Sequence, residues 1–245
     1  MPSAFDGPRI LGVHLEGPFL SPERLGIHPA AARRDPDLEL LERLEAGPVR
    51  LVTLAPELPG AHDLIRRLLA RDIAVSLGHS DATAEEANAA FELGVRAVTH
   101  LFNAMRPFHH RDPGIVGAAL AHPDVVVQVI LDGAHLAPET AKLVWRAAAG
   151  RVALVTDYTT APEGRTSDGS LAGGTATMIE AVRNLHALGA SLEDAVAAAT
   201  EVPARVLGLT WAGRLAVGLP ADVVVLTDAL EIERVLLGGT DRIAL

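Results

Sequence analysis

Short apolar, β-branched runs alternate with longer stretches of helical period along nearly the whole chain, and this rhythm leaves few folds open. A strand, a crossing helix and a second strand return the chain to the same direction, so repeating the unit builds a parallel sheet covered by helices. The runs predict strands near 10–16, 49–56, 73–79, 95–100, 125–132 and 151–157. Helices are expected near 35–46, 60–71, 83–93, 138–149, 175–189 and 191–208. Thr83-Ala-Glu-Glu86 has the spacing of a capping box, and Pro138 suits a first helical turn. The fold class is therefore α/β. Beyond Gly208, Gly and Pro break the β-branched runs, and strands are expected at 213–217 and 222–227 outside the main sheet. The chain divides into a main body, 1–208, and a C-terminal β segment, 209–245.

Composition narrows the chemistry. At 245 residues and 49% hydrophobic, the chain can bury a full core. No apolar run approaches the roughly 18–20 residues of a membrane span, and MPSAFDGPRI has neither a basic nor an apolar leader region, so a cytoplasmic location without a membrane partner is expected. There is no cysteine, which excludes disulfides, thiolate ligands and a cysteine nucleophile; any metal must be held by His, Asp and Glu. A net charge of -10 spread along the chain argues against nucleic acid as a partner. Lys142 is the only lysine and falls in an expected helix, which disfavours a two-metal centre bridged by a modified lysine. Neither GxGxxG after the first strand nor GxxxxGK[ST] occurs, so nucleotide binding by those loops has no support.

In parallel α/β folds the catalytic groups collect at the carboxyl ends of the strands. Here the six ends read GVHLEGP with Glu16, TLAPE with Glu57, SLGHS with His79, VTHLFNAM with His100 and Asn103, LDGAH with Asp132 and His135, and LVTD with Asp157. Any one of these residues is most simply a loop residue or a helix cap. The series is what carries the argument: His79 and His100 lie one βα unit apart, as do His135 and Asp157, so each pair comes from neighbouring strands and faces one mouth. Glu16, His79 and His100 form a competent set for a divalent metal, zinc first, with iron or cobalt as alternatives. Asp157 suits a general acid/base, its competing role being a turn residue. Glu57, between two prolines, reads as a loop-fixing residue. His14 is either a core histidine or a partner behind the ligands. Arg111, in FHHRDPG, suits recognition of an anion, a surface ion pair being the alternative.

HLEGPFL, the Gly26/His28 pair, TLAPE, GHS, THLFNAM, DGAH and LVTD occur in the order and at the spacing of the N-acetylglucosamine-6-phosphate deacetylases, which the chain resembles from about Leu11 to its C-terminus. LAGGTATM, ATEVPARVLGL and GRLAVGLPADVVVL extend the likeness. The resemblance implies a partial TIM-type (β/α) barrel of about six parallel strands, with 209–245 contributing to a small β-sandwich. It implies Glu16, His79 and His100 as metal ligands and Asp157 as acid/base. Asn103 with the backbone of Ala104 would bind the sugar phosphate, His135 the sugar, and His28 and Arg111 the phosphate or sugar, across the interface of a homodimer. The implied reaction is metal-dependent hydrolysis of N-acetylglucosamine 6-phosphate to glucosamine 6-phosphate and acetate.

Three departures from the family pattern stand out. Nothing before Leu11 supplies the first two barrel strands, with their second-metal site, so a sheet with open edges is expected. Tyr158 follows the acid/base candidate where small residues are usual, and the 164–170 segment is short. These leave two other readings: a deacylase for a different N-acyl compound, or an inactive remnant that binds sugar phosphate.

Overall fold

The computed structural model describes residues 7–44 and 48–244. Its main sheet holds β1 (Val13–Glu16), β2 (Val49–Leu54), β3 (Ala74–Leu77), β4 (Ala97–Val98), β5 (Val126–Val129) and β6 (Val152–Leu154). They pair in chain order, every pair parallel, and β1 and β6 are not joined. All six expected strands exist, each shorter than expected: β1 starts later, at Val13, and in the other five the last residues of the run continue past the ladder into the loops. The result is the partial barrel of six parallel strands that the sequence implied.

Between strands run α1 (Leu38–Leu44), α2 (Ala61–Leu69), α3 (Ala84–Glu92), α4 (Gly114–Ala121) and α5 (Pro138–Ala147); after β6 come α6 (Met178–Ala187), α7 (Leu192–Ala199) and α8 (Glu201–Val206). The α2 helix buries Ala61, Leu64, Ile65 and Leu68, the i, i+3, i+4, i+7 stripe of a helix lying on a sheet. Thr83 and Glu86 close the expected capping box, Pro138 opens α5, and Thr177 with Glu180 forms a second box that the sequence reading did not single out.

Three sequence expectations need correction. The α4 helix was not foreseen: GIVGAALA is apolar on every side and buries Gly114, Ile115, Val116, Ala118 and Ala119, so it has no polar face to mark a 3.6-residue period. The single helix expected over 191–208 is two, broken at Thr200 (φ -132°, ψ -78°). Pro203 fits the first turn of α8, where its missing N–H is no loss. Residues 213–217 are irregular, a bend and the start of a turn rather than a strand, and the small sheet is instead β7 (Val223–Leu226), β8 (Ile232–Leu237) and β9 (Thr240–Ala244), antiparallel throughout.

Leu54, Ile65, Leu77, Phe91, Ile115 and Leu154 are fully buried between the sheet and its helices. Inside the barrel the filling turns polar. His14 Nε2 lies 2.8 Å from Thr53 Oγ1, which is 2.8 Å from Thr99 Oγ1, which is 2.6 Å from Ser76 Oγ. Each hydroxyl finds its partner on another strand, so these groups are buried at little cost. Desolvation pushes the His14 imidazole below its usual pKa despite the Glu16 charge. His14 lies on the open edge strand, is exposed, and bonds to Thr53 rather than to a ligand candidate. A Cβ on Gly78 would come within 2.8 Å of Thr53 Cγ2 and 3.0 Å of Thr99 Cβ, so the close approach of β2, β3 and β4 requires glycine just before His79.

Candidate metal centre and active site

The parallel strands deliver their polar groups to one mouth. Glu16 ends β1; His79 and His100 each sit two residues past β3 and β4; Asp132 and Asp157 sit three past β5 and β6. His79, His100 and Asp157 have left-handed backbones, with φ of 48°, 28° and 47°. Such a conformation costs a non-glycine residue about 1 kcal/mol or more, and it persists where the surroundings over-determine it. Strain at three of these strand ends points to side chains that are aimed.

Glu16, His79 and His100 converge. His100 Nε2 lies 3.0 Å from Glu16 Oε1 and 3.1 Å from His79 Nε2, and His79 Nε2 lies 3.3 Å from Glu16 Oε1. Tetrahedral coordination at metal–ligand distances of about 2.0–2.1 Å puts ligand atoms about 3.3 Å apart, so this donor set fits a divalent ion. Burial pushes the Glu16 carboxyl up, but hydrogen bonds from His100, His28 and His79 outweigh it and hold the group well below the usual carboxylate range. Burial pulls His100 down, and the Glu16 carboxylate overcomes it and raises the imidazole.

His28 joins this group. Its Nε2 is 3.4 Å from Glu16 Oε2, its ring meets His79 edge-on at 4.7 Å, and the ligand atoms of Glu16, His28 and His79 all lie within 4.8 Å of one another. The family likeness placed His28 at the phosphate or sugar; the fold sets it against the carboxylate. The one sequence signal was the Gly26/His28 spacing. Gly26 (φ 58°) packs its backbone on His79, where a Cβ would meet Cε1 at 3.2 Å.

The two strand-end histidines differ behind the centre. His79 Nδ1 donates to the Arg24 carbonyl at 2.9 Å, which turns Nε2 toward Glu16. His100 Nδ1 is buried with no hydrogen-bond partner among the described residues.

The remaining candidates surround the mouth. Asp157 is exposed, and its charge acts on both His14 and His100. Asn103 Nδ2 donates to the carbonyls of His100 and Leu101, tying the side chain to its own loop. Ala104 is left-handed (φ 49°), and its N–H donates to no backbone carbonyl among the described residues. Arg111 is exposed, contacts His110 at 2.8 Å and has no carboxylate partner among the described residues. His135 Nδ1 donates to Asp132 Oδ2 at 2.8 Å, and Asp132 Oδ1 accepts the N–H groups of Ala134 and His135. Burial raises the Asp132 carboxyl, but these bonds lower it further. Glu57 accepts Ser80 Oγ–H at 2.6 Å and Asp81 N–H at 2.8 Å, fixing the loop after β3. Sequence reasoning missed Arg24 and Asp81, whose roles come from contacts across loops.

Similarity to known proteins agrees with this geometry. The chain is 41% identical to the human N-acetylglucosamine-6-phosphate deacetylase over 95% of its length and 38% identical to that of Vibrio furnissii over 96%. In each case it spans about 65% of the relative's own length. It superposes, with a TM-score of 0.87 and 36% identity, on a mutant N-acetyl-D-glucosamine-6-phosphate deacetylase from Mycobacterium smegmatis in complex with N-acetyl-D-glucosamine-6-phosphate, over 94% of this chain and 68% of that one. The model of the amidohydrolase family matches residues 3–240. The chain belongs to the amidohydrolase family and, within it, to the N-acetylglucosamine-6-phosphate deacetylases.

Proposed function

We propose that the chain hydrolyses the N-acetyl group of N-acetylglucosamine 6-phosphate, releasing glucosamine 6-phosphate and acetate. The convergence of Glu16, His79 and His100 at 3.0–3.3 Å carries this reading. These three would hold a divalent ion, zinc first and iron or cobalt as alternatives, since one carboxylate with two imidazoles suits all of them. When bound, the ion supplies Lewis acidity toward the acyl carbonyl and acidifies water.

The chain's own groups then divide the work. Asp157 takes a proton from the attacking water and delivers it to the departing amine nitrogen. The new C–O bond leaves with acetate, and the C–N bond breaks as the amine gains its proton. His28, beside Glu16 Oε2, contacts the phosphate or sugar of the substrate at the edge of the centre. Asn103 and the Ala104 N–H hold the phosphate, and His135, fixed by Asp132, contacts the sugar. Arg111, exposed and without a carboxylate partner among the described residues, supplies its guanidinium to the phosphate in the neighbouring subunit of a homodimer. A charged sugar phosphate does not cross membranes, so the cytoplasm is the proposed location; no helix among the described residues is long and apolar enough to span one. We take 1–208 as the catalytic unit and 209–245 as a separate β segment, in keeping with two sheets that share no strand.

Tyr158, 71% exposed beside Asp157, supports a second reading in which the acyl group differs from acetyl. A deacetylation assay of the zinc-loaded 245-residue chain decides. With Asp157→Asn, zinc and substrate should still bind while turnover falls by roughly a hundredfold or more. Near-normal turnover removes Asp157 from the mechanism. Turnover only of other N-acyl compounds selects the second reading, and binding without any turnover selects a sugar-phosphate-binding remnant.

A further inference from the structure

We infer that Asp81 is a positioning residue of the metal centre, acting through Arg24. This rests on Glu16, His79 and His100 being that centre. Arg24 reaches Asp81 Oδ1 with Nε at 2.7 Å and with Nη2 at 2.6 Å. The carbonyl of the same Arg24 accepts the Nδ1–H of His79 at 2.9 Å. The guanidinium of Arg24 is therefore anchored by charge while its backbone sets the tautomer and direction of a ligand imidazole.

Asp81 is also where four loops meet. Its Oδ2 accepts Arg106 Nη1 at 3.1 Å, from the loop after β4; its N–H donates to Glu57 from the loop after β2; Arg24 comes from the loop after β1. Arg106 continues the network to Asp112, which neighbours Arg111. Backbone bonds from Ser21 N to the His79 carbonyl and from Ser80 N to the Ala104 carbonyl draw the same loops together. Isolated pairs that are about one-third exposed contribute little on their own. A network that ends on a ligand's ring nitrogen acts instead on the metal, because groups behind a ligand typically change metal affinity 10–100-fold.

The experiment is a zinc titration of the metal-stripped 245-residue chain, read as affinity for one zinc per chain. Asp81→Ala and Arg24→Ala should each bind zinc about 10–100-fold more weakly. Their double variant should bind no more weakly than the weaker single one, since both break one linkage. Val144→Ala, buried in α5 away from the centre, serves as a control that lowers thermal stability and should leave zinc affinity unchanged. Should Asp81→Ala fail to fold, Asp81→Asn keeps the shape and the backbone bond to Glu57 while removing the charge, and is expected to lose about tenfold. Unchanged affinity in the Asp81 variants overturns the proposal, as do losses that multiply in the double variant or an equal loss in Val144→Ala. Wild-type chain that takes up no zinc overturns both the clamp and the centre, whereas zinc uptake without deacetylation leaves the clamp standing and rejects only the proposed reaction.

Discussion

The parallel sheet and the three-stranded antiparallel sheet are both rich in Val and Leu, yet from β2 to β6 the first buries them and the second leaves them half open. Val52, Leu54, Leu77, Val98 and Leu154 are shielded on both faces, by the covering helices and by side chains inside the barrel. Val224 in β7 is 54% exposed, and Leu215 and Val217 just before it are more exposed still. Burial on both faces admits along the strands polar groups that pair with one another, as Thr53 and Ser76 do through Thr99, while the ionisable groups of the site stand at the strand ends, where packed elements hold His79, His100 and Asp157 at positive φ. The small sheet carries no comparable convergence of titratable groups among the described residues. Rigid two-sided packing is what makes a strained, aimed site affordable.

The sharpest test of that contrast is the metal. His79→Ala or His100→Ala should abolish stoichiometric divalent metal binding, because each removes one of three converging protein ligands. Zinc analysis of the purified variants checks it, and a full equivalent retained by both refutes the ligand assignment.

Stability comes next. Leu77→Ala should cost about 2–5 kcal/mol, the range for a large-to-small change in a well-packed core. Urea unfolding monitored by circular dichroism measures it; a loss below about 1 kcal/mol would show that the parallel core repacks around the missing atoms.

A smaller and more selective effect is expected at the mouth. Arg111→Ala should weaken binding of the phosphorylated sugar by about 1.5–3 kcal/mol and of its unphosphorylated analogue by much less, since the lost bond is to phosphate. Competition binding with the two sugars reads the difference, and equal losses assign Arg111 a structural role. Smallest of all, Val224→Ala in β7 should change stability by no more than about 0.5 kcal/mol. A cost matching that of Leu77→Ala would break the comparison, because it would mean that this face of the small sheet is covered.

The strands of the main sheet were legible because each is centred on a short run rich in Val, Leu and Ala, and α3 because Thr83 and Glu86 announce its start. Polarity hid α4: with Ile115, Val116, Ala118 and Ala119 all buried, no solvent face interrupts the apolar pattern. The break at Thr200 was hidden as well, since α7 and α8 follow each other with no Gly at the junction to mark it. In the site, the convergence of Glu16, His79 and His100 was legible from strand-end position and the spacing of one βα unit. His28 could not be placed, because a loop residue has no period that says which way it turns.

By itself, then, the sequence determined which groups stand at the strand ends and in what order. Each βα unit returns the chain to the same edge, so 21 residues between His79 and His100 make them neighbours before any coordinates are seen. Only the tertiary structure decided what stands behind and beside them: His28 against Glu16, the Arg24 carbonyl on His79, Asp81 gripping Arg24, and the hydroxyl chain from His14 to Ser76. Arg24 and Asp81 are 57 residues apart, with two strands and two helices between them. Strand and helix periods describe how a residue relates to its own element, whereas such contacts depend on where separate loops end up after the whole sheet has packed.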